Sequence, residues 1–174
     1  MSHLILSCSY HPHSKSRVLA SEAAARMAAR GAQTEIADFS EMNLPICDGE
    51  RCYDAPDVKA LAERIRTADG LLVATPVYNY NINAGLKNAL ELTGRAWQDK
   101  VVGFLCAAGG RGSYMSVMPF ANSLMLDFRC IIIPRFVFAL GSSFAGGGLV
   151  DAEVRQRVDD LAAAMIRFSR ALAN

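Results

Sequence analysis

The sequence has no apolar run long enough to cross a bilayer. Its longest, residues 101–108 and 130–140, are far shorter than a membrane helix, and Arg135 interrupts the second. It has no excess of charge either: Lys and Arg number 18 against 17 for Asp and Glu, a formal charge of +1. That balance gives no electrostatic reason to expect a nucleic acid or an anionic membrane as partner, and argues against an acidic electron carrier that docks by charge. The chain enters an apolar run at Leu4-Ile5-Leu6 without a basic leader, so no export signal is expected. Five cysteines (Cys8, Cys47, Cys52, Cys106, Cys130) include no CxxC spacing, and three lie in or beside apolar runs. Reduced thiols in a cytoplasmic protein fit that set best.

What is present is a regular alternation within a single domain of 174 residues. Five apolar runs, at 4–9, 34–38, 70–75, 101–107 and 131–140, read as parallel strands covered on both faces. Between them lie helical patterns at 16–30, after Pro56, at Ala84–Thr93 and over roughly 114–128. A last helix follows Asp151, with Val154, Val158, Leu161, Met165, Phe168 and Leu172 spaced four and three apart. Strict β-α alternation predicts a doubly wound α/β sheet, and five strands favour the flavodoxin-like order 2-1-3-4-5. Helix four is apolar on two sides, the second formed by Met118, Ala121 and Met125. A second copy of the chain is the simplest cover for that side, and whether dimers pair into tetramers stays open.

In a sheet of this order the ligand lies beyond the carboxyl ends of the strands. The first loop there, Ser9-Tyr10-His11-Pro12-His13-Ser14-Lys15-Ser16-Arg17, contains no glycine, which excludes both GxxxxGK[ST] and GxGxxG. It offers hydroxyls and free amides at a helix N-terminus, a setting that favours one phosphate. The competing reading is that Ser14 or Ser16 only caps the helix. His11 and His13 lack a third ligand, so a metal is not expected.

The second loop reads TPVYNYNINAGLKNALE over residues 75–91, and the third is Ala107-Ala108-Gly109-Gly110-Arg111-Gly112-Ser113. Here the sequence resembles the NADPH-dependent FMN reductase family, whose members carry a segment like TPEYN-x-S-(I/V)-PG-x-LKNAID, a first loop like S-x-R-x-x-S-x-N-R and a glycine-rich third turn. The resemblance implies FMN as cofactor, NADPH or NADH as co-substrate, and a quinone, flavin, azo compound or metal oxyanion as acceptor. It implies that Ser9, His11, Ser14, Ser16 and Arg17 bind the phosphate. Pro76, Val77, Tyr78 and Asn79 would hold the ring edge and Gly109 and Gly110 its pyrimidine side, while Tyr80 and Arg111 border the substrate path. No protein nucleophile is expected, because the flavin carries the chemistry.

The chain departs from the family pattern at four points. His11 stands for an arginine, Val77 for an acidic residue, Tyr80 for a small one, and Asn83-Ala84-Gly85 for Pro-Gly. Two rival readings therefore stay open: a one-electron carrier, and a non-catalytic flavin-binding protein in which Tyr80 blocks the ring. Cys47 and Cys52 read as two loop thiols, too few for an iron–sulfur cluster. Trp97 reads as a packing residue, and Ser113-Tyr114 as the cap of helix four.

Overall fold

The computed structural model describes residues 1–172. Its strands and helices follow in the order β1 (Ser2–Ser7), α1 (Lys15–Ala28), β2 (Gln33–Asp38), α2 (Pro56–Thr67), β3 (Gly70–Tyr78), β4 (Asn81–Ile82), α3 (Ala84–Thr93), β5 (Val101–Ala108), α4 (Met118–Phe128), β6 (Ile131–Ile132), β7 (Val137–Leu140), β8 (Phe144–Ala145), β9 (Gly148–Leu149) and α5 (Ala152–Leu172). The main sheet runs β2-β1-β3-β5-β6, with β7 also pairing β5. These pairings are parallel; only the short β4, folded back on β3, is antiparallel within the sheet. This is the flavodoxin-like order expected from the alternation.

The period of two along each strand explains the near-continuous apolar runs. In β1, Leu4 and Leu6 point into one core with Leu61, Ile65, Leu86 and Phe120, on the side of α2, α3 and α4. Ile5 points into the other, with Leu19, Leu105, Val158 and Leu161, on the side of α1 and α5. Gly103 lets α5 come close: a Cβ there would lie 2.9 Å from the side chains of both Leu161 and Leu72. Trp97 is fully buried, its indole N–H donating to Thr93 Oγ1 at 2.8 Å. It is a packing residue, as its position after helix three implies. Asp151 Oδ1 caps α5 by accepting from the amides of Glu153 and Val154.

Five expectations need correction. The run at 131–140 is not one strand but two, β6 and β7, because Pro134 lacks an N–H for the ladder and Arg135 takes a left-handed φ of 61°. The first strand ends at Ser7 rather than Ser9, and the third continues through Pro76 to Tyr78. Helix four begins at Met118, since residues 111–117 wind as a 3₁₀ turn, and Val117 rather than Ser113 precedes its first turn. Of its second apolar face, Ala121 is buried in the subunit's own core and Met118 packs against that core. The side chain that stands out is Leu126, 85% exposed. Among the described residues, no helix is long and apolar enough to cross a membrane.

Candidate functional site

Three loops meet the carboxyl edge of the sheet, and the first is built by hydroxyls and one arginine. Cys8 continues the pairing of β1 through its amide, which donates to the Ala74 carbonyl at 2.9 Å. Beyond it, Ser9 Oγ accepts from the His11 amide at 3.2 Å and His11 Nδ1 accepts from the His13 amide at 3.1 Å. Ser14 caps α1 by accepting from the Arg17 amide at 3.3 Å, and its hydroxyl lies 2.8 Å from that of Ser16. Ser9, Ser14 and Ser16 are all buried, while His11 is exposed. The amides of Lys15 and Ser16, in the first helical turn, have no acceptor among the described residues. Capping and anion binding are therefore compatible here: the Ser14 oxygen serves the Arg17 amide, and the first-turn donors stay free.

Arg17 stands in the first turn of α1 with its side chain folded back onto the loop and fully engaged. Its Nε and Nη2 donate to the Asp38 carboxylate at 2.6 and 3.1 Å, and Nη2 also reaches Ser40 Oγ at 2.8 Å. Nη1 donates to the carbonyls of His11 and Pro12 at 3.3 and 3.0 Å. Burial works against the Asp38 carboxylate, but the bonds from Arg17 and Ser40 outweigh it and hold its pKa below the ordinary value. A guanidinium presents five donors in a fixed fork, and here that fork shapes the loop.

The second loop is a hairpin. β3 and β4 are joined by Asn79 and Tyr80, both at left-handed φ (49° and 63°), the signature of a type I′ turn. Pro76 is buried and Val77 half-buried, whereas Tyr78, Asn79 and Tyr80 are exposed at the tip. Beneath them, Thr75 Oγ1 donates to Asn83 Oδ1 at 3.0 Å and Asn83 Nδ2 donates to the Cys8 carbonyl at 2.7 Å. Buried Asn83 thus ties the first loop to the second. Tyr10 does so again: a Cβ on Gly85 would fall 2.5 Å from the Tyr10 ring. Neither role shows in the sequence by itself, although glycine in the first turn of a helix is the kind of signal that marks a close approach.

The third loop leaves Gly109 and Gly110 exposed, with open space where a Cβ would stand on either. Ser113 Oγ donates to the Gly110 carbonyl at 3.1 Å, closing the 3₁₀ turn. Tyr114 stacks on Phe136 with ring centroids 4.7 Å apart, so it packs the turn against the broken fifth strand. Arg111 is exposed at the start of the turn. Between the hairpin and α4 lies a groove of about 510 Å³, lined among others by Tyr78, Asn79, Ile82, Lys87, Pro119 and Phe120.

A model of the NADPH-dependent FMN reductase family matches residues 1–145. An NAD(P)H-dependent FAD/FMN reductase of Geobacillus thermodenitrificans is 30% identical over 132 residues, covering 74% of this chain and 71% of its own length. An NADPH:quinone oxidoreductase of Arabidopsis thaliana is 32% identical over 148 residues, covering 80% of this chain and 76% of its own. Among solved structures, a flavoenzyme NAD(P)H:(acceptor) oxidoreductase of Paracoccus denitrificans matches with a TM-score of 0.80 at 19% identity, over 98% of this chain and 97% of that one. A flavodoxin from the domain Archaea matches with a TM-score of 0.67 at 11% identity, over 95% and 99%. Those two likenesses describe the fold.

Proposed function

Because the chain belongs to the NADPH-dependent FMN reductase family, we propose that its three edge loops hold the flavin and that a quinone is the acceptor it reduces. The family sets the reaction class: an oxidoreductase that uses FMN and takes its electrons from NAD(P)H. When bound, FMN supplies the relay, accepting a hydride from nicotinamide and passing two electrons to the acceptor.

The observation that carries the site reading is the donor set of the first loop. Free first-turn amides at Lys15 and Ser16, beside the touching hydroxyls of Ser14 and Ser16, are suited to one dianionic phosphate at a helix N-terminus. Ser9 and His11 complete that cradle. Arg17 positions it, since its donors are bound to Asp38 and the loop carbonyls. Pro76, Val77, Tyr78 and Asn79 flank the ring edge. The open approach to Gly109 and Gly110 lets their amides face the pyrimidine side, where donors stabilise negative charge. Tyr80 and Arg111 border the path for nicotinamide and acceptor. A groove of about 510 Å³ with Ile82, Pro119 and Phe120 in its wall suits a flat, weakly polar acceptor, and quinone is the substrate in the names of several relatives.

Two further features belong to this reading. The chain pairs as a homodimer through α4, where Met125 and Leu126 are exposed, with Met115 exposed on the turn before it. It works in the cytoplasm, a compartment that suits five free cysteines.

Calorimetric titration of the apoprotein with FMN and with riboflavin tests the phosphate cradle. Two charge-assisted hydrogen bonds at about 1.5–3 kcal/mol each predict at least about a hundredfold preference for FMN. Ser14→Ala with Ser16→Ala should erase most of that preference. Equal affinities in the unaltered protein would contradict the assignment.

A further inference from the structure

The segment 43–55, between β2 and α2, takes no part in the flavin reading, yet it holds two of the five cysteines. Their sulfurs face each other: Cys52 Sγ lies 3.8 Å from Cys47 Sγ, and the Tyr53 hydroxyl lies 3.7 Å from Cys47 Sγ on another side. The backbone that presents them is held in place. The Cys47 amide donates to Asn88 Oδ1 at 2.9 Å, and Asn88 Nδ2 donates to the Pro45 carbonyl at 2.8 Å. Asp48 Oδ1 accepts from the amides of Glu50 and Cys52 at 2.9 and 3.1 Å, closing the turn between the two thiols. Cys52 is 4% exposed and packs with Val58 and Leu92, while Cys47 is half-buried with access to solvent.

We infer that Cys47 and Cys52 form a redox-active dithiol, a modification site that closes to a disulfide on exposure to a peroxide. Two sulfurs 3.8 Å apart are close to van der Waals contact, a short approach from the bonded separation of about 2.05 Å. In the first step the Cys47 thiolate attacks one oxygen of hydrogen peroxide, the O–O bond breaks, and hydroxide leaves to take up the proton Cys47 released. Cys47 is now a sulfenic acid. In the second step the Cys52 sulfur attacks the Cys47 sulfur, the S–O bond breaks, and the hydroxyl departs as water with the Cys52 proton. Two thiols and one peroxide yield one disulfide and two waters.

The division of roles follows from surroundings. Burial, and after it the Asp48 carboxylate, raise the Cys52 thiol, which suits the group that resolves rather than the one that attacks. The other three cysteines serve as internal controls. Burial pushes Cys106 up to about 12 and Cys130 up to about 11, and Cys8 is fully buried with its pKa raised well above the ordinary value. Asn88 joins the dithiol segment to α3, whose first turn opens at the hairpin loop, so the pair stands one helix away from the site.

Arg51 lies between the two cysteines, so trypsin separates peptide 31–51 from peptide 52–59. The purified protein is treated with hydrogen peroxide, alkylated under denaturing conditions and digested. The expected product is the two peptides joined, at their summed mass less two hydrogens, and released by dithiothreitol. Cys8, Cys106 and Cys130 should be alkylated as in the untreated protein. In Cys52→Ser, dimedone should label Cys47 after the same treatment. If Cys47 and Cys52 stay alkylatable to the same extent as the three buried cysteines, or if Cys47 in Cys52→Ser takes up no dimedone, the inference is wrong.

Discussion

Arg17, expected among the phosphate ligands, gives its donors in the structure to Asp38, Ser40 and the loop carbonyls. Its place in the first loop was legible from spacing; its bond to Asp38, at the end of the neighbouring strand, was not, because strand order brings those residues together. Asn83 and Tyr10 were hidden for the same reason: each acts across two loops that lie far apart in sequence. The serines were better placed for reading, since a hydroxyl just before a helix serves a cap and an anion with the same chemistry. At the opposite end of β1, His3 is buried, and neither ring nitrogen has a hydrogen-bond partner among the described residues. Burial lowers its pKa, against opposing contributions from the Gln33 backbone and Asp69, with the N-terminus acting in the same direction as burial. In the unfolded chain the imidazole titrates near ~6.5. Between that value and the lower folded one the unfolded chain binds more protons, so stability falls as pH drops through this window and is flat above it. Urea midpoints measured across that window should therefore decline in the natural protein, and decline less in His3→Leu. Equal slopes for the two proteins would show that His3 does not titrate on unfolding.

At the level of elements, regular patterns were readable and irregular ones were not. α3 occupies its expected span, and α5 follows Asp151 with Val154, Val158, Leu161 and Met165 buried and Phe168 packed against them, because both carry a clear 3.6-residue period. Leu172, at the end of α5, is exposed. The hairpin β3–β4 was invisible. A type I′ turn is usually announced by Asn-Gly, whereas this chain puts Asn79-Tyr80 there. The unwound start of helix four was equally hidden, since a 3₁₀ turn and an α-helix bury similar positions over so few residues. Tyr80 has an energetic consequence. A bulky residue at left-handed φ costs about 1–2 kcal/mol, and glycine removes that cost while adding about 0.5–1 kcal/mol of unfolded-chain entropy. Tyr80→Gly should thus leave the denaturation midpoint unchanged or raise it slightly. Tyr80 is 61% exposed at the loop tip, and on the site reading proposed above its ring would border the flavin face. The same variant should then speed flavin reduction at subsaturating NADPH with little change in FMN affinity. Matching pre-steady-state rates over the whole NADPH series would make Tyr80 an ordinary turn residue.

For the whole molecule, alternation of strands and helices was enough to predict the sheet order and hence which loops share an edge. The broken fifth strand was less legible. Apolar residues resume at Phe136 after the Pro134-Arg135 pair, so the two short strands read as one interrupted run; the left-handed φ of Arg135 shows how the chain leaves the ladder and returns. The surface of α4 was read in part: the helix is apolar on two sides, but the exposed side chains are Met125 and Leu126 rather than Met118 and Ala121. A homodimer interface uses one patch twice, so Leu126→Glu should convert dimers to monomers in light scattering while the circular dichroism spectrum holds. A natural protein that scatters as a monomer at micromolar concentration would refute the pairing. The central claim, that these loops support two-electron traffic from nicotinamide through FMN to a quinone, is tested most directly by anaerobic stopped-flow absorbance of the FMN-loaded protein. The account predicts that NADPH or NADH bleaches the flavin in a fast phase saturating with nicotinamide, and that benzoquinone in the second mix restores the oxidised spectrum. A flavin that stays oxidised with both nicotinamides would contradict it.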